Sequence, residues 1–235
     1  MEKKDEKIIR IAIDGPGGAG KSTIAKRLAV TLGLPYLDTG AMYRSFALYI
    51  MRQGISVEGT GAFSEEEKEL IVKKLPEFHL EVKYGENGQM MLVNGEDVTA
   101  LIRTPAISSG ASRVSALPEV RTYLVELQRE IAAQSGVVMD GRDIGTHVLP
   151  DAEVKIFLTA SPEARAMRRY LELREKPDAP DYDTVYRDLL ERDRADSTRA
   201  ASPLRQAEDA ILVDTTALSL EESIEAVLKI VREHL

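Results

Sequence analysis

The chain has 235 residues, of which 43% are hydrophobic and 30% are charged, and its formal net charge is −8. This balance is typical of one good-sized α/β domain or of a domain with a modest insert, and the acidic charge disfavours non-specific binding to nucleic acid. The absence of Cys excludes disulfides, Cys-ligated zinc and thiol nucleophiles, and the absence of Trp leaves few rings on which bases could stack.

The first ten residues are charged and lack the apolar stretch of a secretory signal. The chain also contains no run of about 18 apolar residues, the length that a membrane-spanning helix needs. We therefore expect a cytoplasmic protein with no membrane or nucleic-acid partner. A monomer is the default expectation, and the sequence leaves the oligomeric state open. Residues 1–7 are expected to be a disordered lead.

The beginning of the chain alternates between strand and helix patterns. Residues 7–15 are an apolar run that ends at glycine, which predicts a buried strand. Apolar residues then recur four apart over 21–32, which predicts a helix. Residues 34–38 predict a second strand, and 39–54 predict a helix that Thr39 could cap.

The pattern then changes to a local antiparallel one. Residues 64–76 predict a short amphipathic helix with a capping box, in which Ser64 is the cap and Glu67 lies three residues on. Residues 78–98 alternate apolar and polar on both sides of a Gly-Glu-Asn-Gly turn, which predicts a hairpin. A hairpin among strand–helix units indicates an insert, which we place over residues 63–109.

The rest of the chain returns to alternating strands and helices. Further strands are predicted at 136–141, 154–160 and 210–216. Further helices are predicted at 119–134, 161–176, 184–199 and 219–235. The alternation predicts an α/β fold with a five-stranded parallel sheet covered by helices on both faces, whose core comprises residues 8–62 and 110–235.

A glycine-rich stretch follows the first predicted strand and fits G-x-x-x-x-G-K-[ST], the phosphate-binding P-loop. Glycines let successive backbone N–H groups surround phosphate oxygens, and the helix N-terminus that follows favours negative charge. Lys21 supplies a cation, and Ser22 supplies a hydroxyl for Mg²⁺. The predicted ATP-binding residues are Gly15, Pro16, Gly17, Gly18, Ala19, Gly20, Lys21, Ser22 and Thr23.

A P-loop alone fits a GTPase switch, a motor or transport ATPase, or a small-molecule kinase. The chain lacks the N/T-K-x-D element that reads guanine. A motor usually needs a longer chain or several copies. A kinase needs a second anionic site, and the sequence offers candidates for one.

Those candidates follow two other predicted strands. Thr39 and Arg44 come after the second strand, and Asp140, Arg142 and Asp143 come after the third core strand. The carboxyl ends of strands in doubly wound sheets meet at one crevice, so these side chains could face a ligand there. Alternatively they are a helix cap, a solvated arginine and a surface ion pair. Asp140 could hold Mg²⁺ through water or brace the P-loop.

Arginines are dense over residues 161–200, which we name the lid segment. In an acidic chain this density favours the binding of a polyanion, with Asp193 and Asp196 holding the arginines apart when ligand is absent. The alternative is a salt-bridged helix that faces solvent. The residues predicted to be catalytic are Lys21, Arg165, Arg169 and Arg192.

Together these stretches resemble the bacterial cytidylate kinases, which are P-loop nucleoside monophosphate kinases. The resemblance runs in order from about residue 8 to 235. It is carried by GPGGAGKST (15–23), LDTGAMYR (37–44), DGRDIGT (140–146) and ERDRADSTR (191–199). The last two are specific to that family, whereas the P-loop is not. The family implies direct in-line transfer of the γ-phosphoryl group of ATP to CMP or dCMP, with 63–109 as a nucleotide-binding insert and 161–200 as a mobile helical lid.

The resemblance also implies roles for single residues. The residues that would read cytosine are Ser112, Arg121 and Asp143. Those that would hold the CMP phosphate are Arg44, Arg142 and Arg199, and those that would meet the sugar are Arg192 and Asp196. Thr39, also a predicted substrate contact, stands where some relatives carry Ser, and Ala195 stands where some carry Arg.

The chemistry of cytosine agrees with a carboxylate at position 143. Cytosine has an exocyclic N4–H₂ donor from which a carboxylate accepts, whereas uracil presents an acceptor at that place. Asp143 therefore argues against UMP. Kinases for UMP, AMP or shikimate stay as alternatives, as does a regulatory ATP-binding protein that has lost its acceptor site.

Overall fold

The computed structural model describes residues 8–59, 61–85, 88–175 and 179–235. The predicted disordered lead, the middle of the hairpin turn and the beginning of a polar loop before residue 184 lie outside the described residues. The chain divides into two compact units. One, the discontinuous unit, comprises residues 8–36 and 132–235, and the other, the continuous unit, comprises residues 37–131. The predicted insert boundaries, 63–109, stay a prediction.

The strands are β1 (Arg10–Asp14), β2 (Tyr36–Asp38), β3 (Leu80–Gly85), β4 (Gly88–Val93), β5 (Glu96–Asp97), β6 (Val137–Gly141), β7 (Val154–Thr159) and β8 (Ile211–Asp214). The α-helices are α1 (Lys21–Leu32), α2 (Thr39–Arg52), α3 (Glu65–Lys74), α4 (Pro105–Val114), α5 (Pro118–Gln134), α6 (Pro162–Leu173), α7 (Tyr182–Thr198) and α8 (Leu220–His234).

Five strands form one sheet in the order β2, β6, β1, β7, β8. The central strand β1 pairs in parallel with β6 and with β7, and β7 pairs in parallel with β8. This confirms the α/β fold with a five-stranded parallel sheet. Because parallel strands need crossover connections, α-helices connect β1 to β2, β2 to β6 and β7 to β8, whereas only the turn Ile144–Val148 lies between β6 and β7.

The core of the discontinuous unit lies on β1 and the helices that pack against the sheet. Ile11 and Ile13 of β1 and Leu28 of α1 are fully buried, as is Val227 of α8. Each such side chain contributes about 1.5–3 kcal/mol when it is removed from water. Helix α1 therefore holds the loop that precedes it against the carboxyl end of the sheet.

The continuous unit contains a three-stranded antiparallel sheet in the order β3, β4, β5. The predicted hairpin is thus confirmed, and β5 extends it by one short strand. An aromatic cluster packs the unit, with the rings of Phe46 and Phe78 5.0 Å apart in an edge-on arrangement. Tyr49 and Tyr123 flank Phe78.

Helix termini agree with the sequence at most places. The predicted capping box at Ser64 and Glu67 is present, and α8 begins with a second capping box at Ser219 and Glu222. The predicted cap of α2 is wrong. Asp38, not Thr39, accepts a hydrogen bond from the backbone N–H of Ala41 at 2.8 Å, and Thr39 is the first helical residue.

Two helical segments were not apparent from the sequence. Helix α4 is rich in Ser and Gly, residues of low helix propensity, and it packs so closely that a Cβ at Gly110 would lie 2.7 Å from Val57. A single π-helical turn, Ile144–Val148, follows β6. Tertiary packing rather than local propensity stabilises both segments.

Candidate active site

The P-loop, residues 15–22, connects β1 to α1 at the carboxyl end of the central strand. Gly15 has φ 145°, and a Cβ there would overlap the backbone carbonyl oxygen of Leu158. Gly18 has φ 73°, and a Cβ there would lie 3.0 Å from the carbonyl oxygen of Arg165. Both positions therefore require glycine, because they combine a left-handed conformation with a close backbone approach.

Lys21 begins α1 and is only 5% exposed. Its Nζ donates to the carbonyl oxygen of Pro16 at 2.6 Å. Burial lowers the pKa of Lys21 well below its usual value, and the guanidinium of Arg142 lowers it further, while Asp140 acts in the opposite direction. An anion bound in the loop would favour the protonated amine, as a phosphate-binding lysine requires.

Asp140 lies at the end of β6 and accepts two hydrogen bonds. Its Oδ2 accepts from Ser22 Oγ at 2.8 Å, and its Oδ1 accepts from the Tyr36 hydroxyl at 2.8 Å. Asp140 thus braces the beginning of α1, as one of its two predicted roles requires. No group of three or more His, Cys, Asp or Glu within the described residues could hold a metal ion. A cation here would need oxygens from a nucleotide, which is the usual arrangement for Mg²⁺.

An arginine–carboxylate cluster lies beside the P-loop. Arg142 Nε donates to Asp196 Oδ2 at 2.9 Å, and Arg199 donates to Asp143 Oδ1 at 3.4 Å. Burial raises the pKa of Asp196, but the guanidinium groups of Arg142 and Arg192 outweigh burial and hold it below its usual value. The structure therefore brings together four predicted substrate contacts, which are Arg142, Asp143, Asp196 and Arg199. Asp196 is also one of the two acids expected to hold the arginines apart.

The predicted catalytic arginines of α6 lie in different surroundings. Arg165 is 4% exposed and donates to the carbonyl oxygen of Gly17 at 3.1 Å and to Asp193 at 2.6 Å, so it links α7 to the P-loop. Arg169 instead pairs with Glu172 on the surface of α6, with 44% of its side chain exposed. Its catalytic role stays a prediction that requires the lid segment to move.

Asp14, the last residue of β1, contacts the loop after β6. It is 4% exposed, and its two carboxylate oxygens accept from the backbone N–H groups of Ile144 and Gly145 at 2.8 and 2.7 Å. Burial raises the pKa of Asp14 to about 6, although these two hydrogen bonds lower it. The negative charge of Asp143 raises the pKa of Asp14 further, whereas the positive charge of Lys21 lowers it.

The continuous unit has a second arginine–carboxylate cluster, centred on Asp38 at the end of β2. Asp38 Oδ2 accepts from Arg44 at 2.9 Å and from Arg103 at 3.2 Å. Asp38 is 5% exposed, whereas half of the Arg103 side chain is exposed. One buried carboxylate therefore orients two guanidinium groups. Thr39 is buried beside it at the beginning of α2.

Ser112 and Arg121, predicted to read the base, lie on neighbouring helices of the continuous unit. Arg121 is buried and donates to the carbonyl oxygen of Ser115 at 3.2 Å, while the Ser115 hydroxyl donates to the carbonyl oxygen of Ser112 at 2.8 Å. The Arg121 guanidinium also lies 5.8 Å from the ring centre of Tyr43. Ser115 therefore connects the two predicted contacts.

Sequence reasoning did not assign Asp14, Tyr36, Asp38 or Arg103 to the site. Two of these carried a usable signal, since Asp14 and Asp38 are the last residues of β1 and β2. Side chains at the carboxyl ends of parallel strands face the ligand crevice of such folds. The other two are brought to their carboxylates only by tertiary structure.

The described helices include none that is both long enough and apolar enough to cross a membrane. The parallel sheet, the P-loop with its buried lysine and the arginines beside it define this chain as a P-loop kinase. A solved structure of an uncharacterized protein from Eubacterium ventriosum supports the fold alone, with a TM-score of 0.50 at 15% identity over 97% of this chain and 99% of that one.

Comparison of whole sequences specifies the family. The family model for cytidylate kinase matches residues 11–233. The cytidylate kinase of Carboxydothermus hydrogenoformans is 52% identical, over 95% of this chain and 97% of the relative. That of Caldicellulosiruptor bescii is 50% identical, over 95% and 96%. The chain belongs to the cytidylate kinase family.

Proposed function

We infer that this chain transfers the γ-phosphoryl group of ATP to CMP or dCMP, which yields ADP and CDP or dCDP. The observation that carries this function is the match to the cytidylate kinase family over residues 11–233. The P-loop that a phosphoryl donor requires is present. Neither the family nor the site favours UMP or AMP as the acceptor.

Transfer is proposed to be direct and in line, without a covalent intermediate. The phosphate of CMP is already ionised, so catalysis needs alignment and neutralisation of charge rather than a general base. Lys21, Arg165 and Arg192 would neutralise the transferring group. The contact of Arg165 with Gly17 supports its part in this set. Arg169 would join only when the lid segment, residues 161–200, closes.

The reaction is proposed to use Mg²⁺ with ATP. The adjacent Ser22 hydroxyl and Asp140 carboxylate are hard oxygen ligands of the kind that Mg²⁺ prefers. Ser22 would hold the ion directly and Asp140 through water. When bound, the ion supplies positive charge to the β- and γ-phosphate oxygens.

CMP is proposed to contact the residues that the resemblance to cytidylate kinases indicates. Arg44, Arg142 and Arg199 would hold the phosphate, and Arg103 joins this set because it shares the Asp38 carboxylate with Arg44. Arg192 and Asp196 would meet the sugar, and Thr39 would contribute a hydroxyl. Ser112, Arg121 and Asp143 would read the base. Planar guanidinium groups suit phosphate because they donate two parallel hydrogen bonds.

We also propose that the protein acts as a cytoplasmic monomer that binds small nucleotides and no nucleic acid. The net charge of −8 supports the last point, because a polyanion is repelled unless arginines meet it locally.

A coupled assay of ADP release tests the function. The full chain is incubated with Mg-ATP and, in turn, with CMP, dCMP, UMP and AMP. We expect strong activity with CMP and dCMP, weak activity with UMP and none after addition of EDTA. Equal activity with UMP would contradict the role of Asp143 but not the kinase reaction, and no stimulation by any nucleotide would contradict the reaction itself.

A further inference from the structure

The turn after β6 is capped by a side chain from a distant strand. Residues Ile144–Val148 form one π-helical turn, and the first N–H groups of such a turn have no partner within it. Asp14 of β1 accepts from both, from Ile144 N at 2.8 Å and from Gly145 N at 2.7 Å. The cap of this turn therefore comes from the central strand of the sheet.

Asp143 itself occupies the N-cap position of that turn. An Asp at an N-cap ordinarily accepts from the backbone N–H groups of the first turn. Within the described residues 141–148, the Asp143 side chain makes no such cap bond. Its Oδ1 accepts instead from Arg199 at 3.4 Å. Because Asp14 satisfies the N–H groups, the Asp143 carboxylate is directed away from its own backbone.

Packing fixes the turn against Asp14. In the register of the sheet, Asp14 lies between Gly141 of β6 and Phe157 of β7. A Cβ at Gly145 would lie 3.4 Å from Asp14 Oδ2 and 3.2 Å from the Lys155 side chain. The turn thus rests directly on the buried carboxylate, and the absence of a side chain at residue 145 permits that approach.

We propose that Asp14 is a positioning residue that holds the 144–148 turn and so orients the Asp143 carboxylate, which selects cytosine over uracil. The inference rests on the proposed function, in which Asp143 reads the base. Asp14 acts through Asp143 and has no contact with substrate of its own. It joins the P-loop, which begins at the next residue, to the loop that chooses the acceptor.

The variant Asp14→Asn tests this inference. Asn offers one acceptor oxygen, and its NH₂ group would face the second backbone N–H. Asp143 would then turn to cap its own turn. Since a hydrogen bond to a charged group is worth about 1.5–3 kcal/mol, we expect the ratio of kcat/KM for CMP to that for UMP to fall at least ~10-fold. The KM for CMP should rise while the KM for ATP stays nearly unchanged.

Two further variants make the test specific. Glu153→Gln removes another partly buried carboxylate, which lies just before β7 and accepts from Arg10 at the opposite end of β1, and this variant should keep the selectivity. Asp143→Asn should lose selectivity, and adding Asp14→Asn to it should cause little further loss, because the two residues act as one unit. Additive losses, or an equal loss for CMP and UMP in Asp14→Asn, would overturn the inference.

Failure of this inference is distinguishable from failure of the proposed function. Phosphorylation of CMP by the wild-type chain tests the function alone. Intact selectivity in Asp143→Asn would overturn the base-reading role and with it the role of Asp14. If Asp14→Asn does not fold, Asp14→Glu keeps the charge but moves the carboxylate by one methylene away from the N–H groups of Ile144 and Gly145. A folded Asp14→Glu with unchanged selectivity would also overturn the inference.

Discussion

At the scale of single residues, three of the predicted ligand-binding arginines each pair with a carboxylate. Arg142 pairs with Asp196, Arg165 with Asp193, and Arg44 with Asp38. Removing one partner of a buried pair leaves an unpaired charge, so the acids hold the guanidinium groups in place without ligand. When a phosphate enters such a site, the arginine exchanges a carboxylate partner for a phosphate partner.

Arg192 is the residue whose removal most directly tests the neutralisation of charge. Its guanidinium affects both Lys21 and Asp196 electrostatically. Arg192→Ala should lower kcat at least ~100-fold, since a transition-state arginine in phosphoryl transfer is worth more than that. Arg187→Ala, an exposed arginine on the same helix, should keep turnover and serves as the control. Near-full turnover in Arg192→Ala would contradict the catalytic role.

The buried Asp14 should give stability a distinct dependence on pH. Burial raises the pKa of Asp14 in the folded state to about 6, above its usual value of 3.8. The folded state therefore binds this proton more tightly, so the contribution of Asp14 to stability falls as pH rises from below 3.8 to above 6, by about 3 kcal/mol in total. Between pH 4 and pH 7, the free energy of unfolding of wild type, measured by denaturant relative to Asp14→Asn, should fall by most of that amount.

Glu153 supplies an internal control of opposite sign. Burial raises the pKa of Glu153, but its hydrogen bonds with Arg10 outweigh burial and leave the pKa below its usual value. Its contribution to stability is therefore present at neutral pH and is lost as pH falls. The free energy of wild type relative to Glu153→Gln should rise with pH, and parallel trends for the two acids would contradict the assignment.

At the scale of elements, the P-loop depends on positions where no side chain fits. Gly15→Ala should destabilise the fold by about 3 kcal/mol or more, or prevent folding, because the new Cβ would overlap Leu158 in a core that tolerates little overpacking. Gly61→Ala is the matched control, since a Cβ there meets no atom of the described chain within 4 Å. Thermal unfolding checks both. Equal melting temperatures would contradict the tight approach at residue 15.

Elements with local signals were predictable from the sequence. Helix α8 has an apolar stripe and a capping box at Ser219, and β1 is an apolar run that ends before glycine. Helix α4 and the 144–148 turn lacked such signals. Close packing at Gly110 stabilises α4, and hydrogen bonds to the Asp14 carboxylate stabilise the turn. A local sequence pattern indicates interactions between neighbouring residues, whereas contacts with residues distant in sequence stabilise these two segments.

The site was predictable to a similar degree. The P-loop and the 140–143 motif place their residues by spacing alone, and the structure brings Arg142 to Asp196 as the arginine density suggested. Arg103 reaches Asp38 across 65 residues of chain, and no local pattern indicates such a contact. The sequence also placed Arg169 beside Arg165 without showing that one is buried and the other exposed.

At the scale of the whole molecule, the lid segment is the part expected to respond to ligand. Helices α6 and α7 carry Arg165 and Asp193, which already contact each other beside the P-loop. Binding of ATP and CMP together should slow amide hydrogen exchange over residues 161–175 and 179–200, because closure protects backbone hydrogen bonds. Binding of CMP alone serves as the comparison. Unchanged exchange with both ligands would contradict closure.

The order of strands in the sheet also bears on how the chain is made. The central strand β1 is synthesised before its neighbours β6 and β7, which follow only after residues 37–131, the whole of the continuous unit. Until then, Ile11 and Ile13 have no sheet partner on either side. The continuous unit can therefore fold first during translation, while β1 stays unpaired along both of its edges. Interruption of synthesis before β7 would leave an aggregation-prone chain that cannot form the ATP site.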